Sequence, residues 1–449
     1  MELVSFIQFL QSIWGVFIII MLFFRFRVGV AVYLAYIFLV PYMRIEIWGY
    51  VLQWNLINII LLGAFFIHQQ NENNKIKKYD WRPLLPFFIY FGGTLLLMPF
   101  QEGLPFSESI NSWRMQVMKY LILPFVMWND IQANRVSLKL YRNVTIGCII
   151  IAILYGLYLT TMPGLNPYMI TVSLANGEEF NLAYAAGNSG MSDDTTLNEE
   201  RVFGRISSVF AHPMTFGLFI GFALFYLYRN KKNMQNWLLY GLILLILIDI
   251  IVCGVRSVIG ATIIAAMVLL LQLRDFKFFI STAIVVCLLL WAFTTYIPSV
   301  NDYLFSIADQ TSSDVRGSSL DVRLSQLEGC LKEIQNTMFE GKGYGWTGYY
   351  LSQHEEGHPT MMAFESLIIV ILCNTGIIGI LLWLVMGIII VKYNNRHNRP
   401  IAALLNSLFT FYIAYACITG EYGYMQYFII FYILMLGENQ YMKRGRCIR

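Results

Sequence analysis

Residues 364–391 read FESLIIVILCNTGIIGILLWLVMGIIIV, a run in which Glu365 is the only charged residue. A helix needs about 20 mostly apolar residues to cross the hydrocarbon core of a bilayer. This run is long enough, and it is apolar on every side, which an ordinary surface helix of a soluble protein is not. The rest of the 449-residue chain repeats the theme: 57% of residues are hydrophobic, 13% are charged and the mean hydropathy is +0.59. Soluble domains carry about 25% charged residues. The composition therefore excludes a secreted disulfide scaffold, a disordered chain and a soluble nucleic-acid binder. It implies an all-α, polytopic integral membrane protein with about 12–13 transmembrane helices.

Working outward from that run, spans are expected at about 4–24, 28–43, 47–67, 83–99, 115–128, 143–162, 207–228, 237–255, 257–273, 278–297, 364–391, 400–418 and 422–437. The second and fifth are short. The first lacks a basic leading segment and a small-residue cleavage site, so it reads as a retained helix. The layout divides the chain into an N-terminal bundle (1–162), a long loop (163–206), central spans (207–297), a second long loop (298–363) and C-terminal spans with a basic tail (364–449).

Cytoplasmic loops collect Lys and Arg. Taking alternate connections, one side holds twenty-one of the 31 basic residues, including Arg25, Arg27, Arg142, Arg229 and Lys443. The other side holds nine: Arg44, Arg114, Arg201, Arg205, Arg256, Arg316, Arg323, Lys332 and Lys342. The tail is thus expected inside and, with thirteen spans, the N-terminus outside. The net charge of +4 says little; its distribution says more. Both long loops fall on the outer side, and loops longer than about 12–15 residues are usually functional or disordered. The second contains Leu324, Leu327, Leu331, Ile334 and Met338, the spacing of one helical face, followed by Gly341-Lys342-Gly343-Tyr344-Gly345 as a helix stop. An amphipathic loop helix there suggests a cap over a site in the membrane. The seven cysteines show no C-x-x-C spacing and read as small hydrophobes.

Arginine is scarce on the outer side, which makes Arg205, Arg256, Arg316 and Arg323 informative. Any one of them could snorkel to a headgroup. Four flanking both loops suit an anion instead, because guanidinium stays charged and pairs with phosphate in two-pronged fashion.

The motifs around these residues carry a resemblance. Arg205-x-Ser207-Ser208-x-Phe210-x-His212-Pro213-x-x-x-Gly217, Gly254-Val255-Arg256-Ser257, the block from Arg323 to Gly345, and Asn374-Thr375-Gly376-Ile377-Ile378-Gly379 together resemble the signature of the O-antigen ligase and O-antigen polymerase superfamily. The resemblance covers about residues 200–390. It implies a glycosyltransferase in the bacterial inner (cytoplasmic) membrane, with its active site facing the periplasm and with no cofactor and no divalent metal. Its donor is a glycan linked to undecaprenyl pyrophosphate, its acceptor is a second glycan, and a chain-length regulator or a flippase is a further partner. Arg205, Arg256 and Arg323 then bind the pyrophosphate, with Arg316 a fourth candidate that no motif fixes. The absence of any Asp-x-Asp pair agrees with metal-independent chemistry.

In the ligases a histidine normally stands about eleven residues before the first glycine of the closing element. Here that position is Glu365, with His358 seven residues upstream. Glu365 and His358 are competing catalytic bases, and His354 and His212 have plainer readings as loop and helix-start residues. The departure favours a polymerase that joins repeat units of O-antigen or capsular polysaccharide. A ligase transferring polymer to the lipid A-core of lipopolysaccharide is the alternative. A transporter for an anionic or lipid-linked saccharide is the alternative of another class, disfavoured by the lack of an inverted repeat.

Overall fold

The computed structural model describes residues 2–40, 45–47, 50–52, 54–71, 79–162, 166–176, 206–273, 320–354, 357–361, 363–419 and 424–446. These are helical almost throughout. The helices are α1 (Glu2–Phe24), α2 (Phe26–Leu39), α3 (Trp54–Asn71), α4 (Leu85–Leu97), α5 (Phe106–Ala133), α6 (Arg135–Thr160), α7 (Pro167–Asn176), α8 (Pro213–Arg229), α9 (Asn236–Val252), α10 (Arg256–Leu273), α11 (Leu320–Glu333), α12 (Trp346–Gln353), α13 (Leu367–Asn394), α14 (Arg399–Thr419) and α15 (Met425–Arg446). A short hairpin, β1 (Ile45–Ile47) with β2 (Tyr50–Leu52), pairs Ile45 with Leu52 and Ile47 with Tyr50. Among the described residues, five helices are long and apolar enough to span a bilayer, from α1, α6, α10, α13 and α14, and there are five shorter apolar helices. The protein is a multi-pass membrane protein.

Its surface and interior are both apolar, as a bilayer requires. Phe9, Phe24, Leu244, Ile263, Leu271, Leu384 and Ile388 point outward, where lipid replaces water. The centre is α15, whose stretch from Tyr427 to Leu436 is buried on every side. Aromatic rings pack around it: Tyr412 stacks on Phe428 at 5.1 Å, and Phe38, Phe219 and Phe431 interlock at 5.2–5.6 Å. Polar side chains tie helices across this interior, as Asn58 does by accepting from Tyr33 Oη at 3.0 Å and donating to the Met118 carbonyl at 3.1 Å.

The contacts sort into two ends. At one, Arg142 meets Glu438 at 3.2 Å, Arg27 lies 3.5 Å from Asp130, and Tyr141 Oη donates to Asp130 at 2.6 Å. Arg27 and Arg142 belong to loops that the charge count put on one side, so the fold gathers what the sequence grouped. At the opposite end, hereafter the loop end, Tyr168 Oη donates to the Leu39 carbonyl at 2.6 Å and Ser366 Oγ to the Cys417 carbonyl at 2.8 Å.

Several sequence expectations need correction. The apolar run after α2 is not the beginning of a span: Val40 is extended (φ −115°, ψ 110°) ahead of Pro41, and the β1–β2 hairpin precedes α3. The helical region is disfavoured for a residue before proline, so the helix ends there. The short span expected at 115–128 is the middle of the 28-residue α5. Helices α7 and α12, both of ten residues or fewer, lie in the long polar loops and are additional to the one loop helix that the spacing predicts. The expected span at 278–297 lies outside the described residues.

The loop helix exists, but α11 ends at Glu333 and turns replace it through Met338. Its buried side keeps only part of the apolar stripe: Ile334 is in the cap core and Leu327 packs against it. Leu324, Leu331 and Met338 are 51%, 42% and 43% exposed, while Gln326, Gly329, Cys330 and Ile334 are buried. Gly329 is the reason: a Cβ there would stand 2.3 Å from Thr360 Oγ1. The smallest residue, not the largest, sets the line of closest approach.

Candidate active site at the loop end

Spanning helix α13 is broken. Gly376 takes φ 63°, ψ −159° in the middle of it, a combination open only to glycine. The break frees backbone groups within an apolar helix, which must find partners within the protein. The segment 338–343 supplies them. Lys342 N–H donates to the Cys373 carbonyl at 2.8 Å and Gly343 N–H to the Asn374 carbonyl at 3.2 Å; Ile377 and Ile378 N–H donate back to the Met338 and Phe339 carbonyls at 3.0 and 3.1 Å. Gln101 completes the latch by donating to the Glu340 and Asn374 carbonyls and accepting from Tyr344 N–H at 3.1 Å. The Asn374 side chain accepts from Thr347 N–H at 2.9 Å at the start of α12. Gly341, at φ +71°, passes so close that a Cβ would lie 2.5 Å from Thr375 N. The glycine-rich loop and the Asn374–Gly379 element are therefore one device, with the loop's amides spent on α13.

This latch seats a cap with its own small core, formed by Leu104, Cys330, Ile334, Trp346, Met361, Phe364 and neighbouring residues of α13. A charged cluster lies on it. Lys342 pairs with Glu333 and sits 4.9 Å from the centre of the Trp346 ring. His358, 9% exposed, directs Nε2 at Glu333 Oε2 at 3.6 Å. Its Nδ1 accepts from the Thr360 and Met361 amides, both at 3.2 Å, so the ring's proton belongs on Nε2. Burial by itself raises the Glu333 carboxyl, but Lys342 and His358 outweigh it and hold it below the usual carboxylate range. Tyr350 bridges the aromatic wall, stacked on His354 at 4.2 Å and 5.1 Å from His358.

Of the sequence-derived residues, His358, Glu365 and Arg323 lie on or beside this cap. Glu365 is half-buried and follows Phe364, whose φ of +56° is an outlier for a bulky side chain. Ser366, next in line, is anchored to α14 through Cys417. Arg256 is the first residue of α10, reached from α9 through Gly254 at φ +67°. Helix α10 packs along α14, so Arg256 and Glu365 occupy the same end of the bundle. Arg323 lies on α11. Arg205 and Arg316 lie outside the described residues.

The segment just after Arg205 is described. Asn166 Nδ2 donates to Ser207 Oγ at 2.9 Å and to the Ser208 carbonyl at 2.8 Å, and Ser208 Oγ donates to the Ala152 carbonyl at 2.6 Å. His212 Nδ1 accepts from Met214 N–H at 3.0 Å and so caps α8. Ser208 (φ +49°) and Phe364 are the two non-glycine residues with positive φ among those described. Both lie at the loop end, Ser208 inside the Arg205–Gly217 motif and Phe364 between the glycine-rich block and the Asn374–Gly379 element. Strain of this kind persists only where the surroundings enforce it, and it concentrates at functional sites.

Glu333, Lys342 and Gln101 escape a sequence reading. A lysine inside a Gly-x-Gly-x-Gly run was the one available signal for the cluster; Gln101 has none, being 243 residues from the amide it accepts from.

No curated protein matches the chain. A family model does: residues 241–384 match the family described as O-antigen ligase. The matched stretch, about a third of the chain, contains Arg256, α11, the 338–343 segment, α12 and Glu365, and over these residues the chain is similar to the O-antigen ligase family.

Proposed function

We propose that the protein is a metal-independent membrane glycosyltransferase that polymerises undecaprenyl-pyrophosphate-linked oligosaccharide repeat units into O-antigen or capsular polysaccharide. It acts on the periplasmic face of the bacterial inner membrane. The observation that carries this reading is the gathering of Arg256, the strained Phe364–Glu365 corner and the latched cap at one end of a broken spanning helix, within the stretch matched by the family.

In this reaction Glu365 accepts the proton of the acceptor sugar's hydroxyl. The hydroxyl oxygen attacks the anomeric carbon of the donor glycan, and the bond from that carbon to the pyrophosphate oxygen breaks. The pyrophosphate leaves with its electron pair. Arg256 and Arg323, with Arg205 and Arg316, neutralise the charge that develops on it, which is catalysis by cations already in place. His358 suits the base role less well, because the Thr360 and Met361 amides occupy Nδ1 and Glu333 faces Nε2.

The ligase reading is the second one, favoured by the description of the matched family. Deleting the gene and separating surface glycan on a gel decides between them. A single repeat unit on the surface supports the polymerase. Long chains stranded on undecaprenyl pyrophosphate support the ligase, and unchanged surface glycan refutes both.

A further inference from the structure

The cysteines read as small hydrophobes include two that meet. Cys330 on α11 and Cys373 on α13 are 43 residues apart in sequence, yet their Sγ atoms stand 3.6 Å apart in the core of the cap. Both are fully buried. Met361 Sδ is 3.9 Å from Cys373 Sγ on the other side. Cys373 is also the residue whose carbonyl receives the Lys342 amide in the latch. The pair therefore joins the cap helix to the broken spanning helix at the point where the cap docks. A contact of 3.6 Å lies within a side-chain adjustment of the roughly 2.05 Å disulfide bond.

We propose that Cys330 and Cys373 form a disulfide that staples the cap to α13. The bond forms as the cap docks, because both sulfurs are buried once it has. Cys330 Sγ loses its proton and attacks one sulfur of an external disulfide oxidant, releasing one thiol and leaving a mixed disulfide. Cys373 Sγ, deprotonated in turn, attacks the Cys330 sulfur and expels the second thiol. Two protein thiols are oxidised and one external disulfide is reduced to two thiols. The proposal rests on the outer-face placement of the loop end, where thiol oxidants act, and not on the glycosyl transfer itself.

The test is acid quenching of cells, alkylation of free thiols under denaturing conditions, and mass counting with and without prior reduction. Wild-type protein is expected to gain two labels on reduction, with a linked Cys330–Cys373 peptide in the unreduced digest. Cys330→Ser and Cys373→Ser are each expected to lose that gain. No gain in the wild type overturns the pairing, as does a gain that survives in both variants. A separate arm places Gln335→Cys, in the exposed turn after α11, under a membrane-impermeant maleimide applied to protoplasts. Labelling supports the outer-face placement. Failure to label removes that placement, whatever the state of the pair.

Discussion

Replacing Gly376 by alanine tests the latch directly. A Cβ at Gly376 would stand 2.3 Å from the Phe339 carbonyl oxygen and 2.7 Å from Gly341 N. Both are backbone atoms of the docked loop, so no side chain can swing aside. The φ of +63° with ψ of −159° adds about 1–3 kcal/mol of backbone strain for any L side chain. To relieve the overlap the 338–343 segment must move off α13. That breaks some of the four backbone hydrogen bonds joining them, each worth about 1 kcal/mol. Two lost bonds plus the strain come to about 4 kcal/mol, or a factor of about 10³ in the docking equilibrium.

Hydrogen exchange by mass spectrometry on purified protein reads this locally. Peptides covering 338–347 and 374–379 are expected to lose protection by about that factor, while α8 and α15 keep theirs. Gly348→Ala is the control, because nothing lies within 4 Å of its added Cβ and alanine favours the helix it sits in. Unchanged exchange in 338–347 for Gly376→Ala refutes the latch, as does an equal loss for Gly348→Ala.

Other expectations concern the site. Arg256→Ala and Arg323→Ala are each expected to reduce polymer length to single repeat units while the proteins reach the membrane in normal amount; normal polymer from both removes the pyrophosphate role. Glu365→Gln is expected to abolish transfer, whereas His358→Ala is expected to loosen the cap and retain measurable transfer, so a fully active Glu365→Gln protein removes Glu365 as the base. The Glu333 carboxyl, held low by Lys342 and His358, contributes stability above the unfolded value of about 4.3. That contribution is lost as the pH falls through the lower folded value. Protease sensitivity of the cap in the wild type is therefore expected to rise only on strong acidification, and Glu333→Gln is expected to be sensitive already at neutral pH.

What the sequence could show depended on range. Long apolar runs such as α6 and α13 announce themselves by composition, and His212 read as a helix-start residue is one. The run from Ile45 to Leu52 looks like part of a span because a short apolar strand and a helical turn share a composition. In α11 the apolar spacing is only partly right: Leu327 and Ile334 face the cap core while Leu324 and Leu331 face outward, because Gly329 lets residues 360–361 in closer than any leucine could. Helices α7 and α12, at ten and eight residues, are too short for an apolar period to stand out. The motifs around Arg256 and Glu365 are visible as motifs. That the glycine-rich loop and the Asn374–Gly379 element are one device is not, since it depends on hydrogen bonds between segments more than thirty residues apart and on Gln101, over 200 residues distant. The same holds for Cys330 and Cys373. Local spacing carries secondary structure and candidate chemistry; it does not carry which segment repairs a broken helix.

The most direct measurement is glycosyl transfer by the purified protein in proteoliposomes, supplied with undecaprenyl-pyrophosphate-linked repeat units and no divalent metal. Lipid-linked dimers and longer oligomers with release of undecaprenyl pyrophosphate are expected from the wild type and absent from Glu365→Gln and Arg256→Ala. Movement of the substrate across the bilayer with no new glycosidic bond would contradict the proposed function and return the transporter reading.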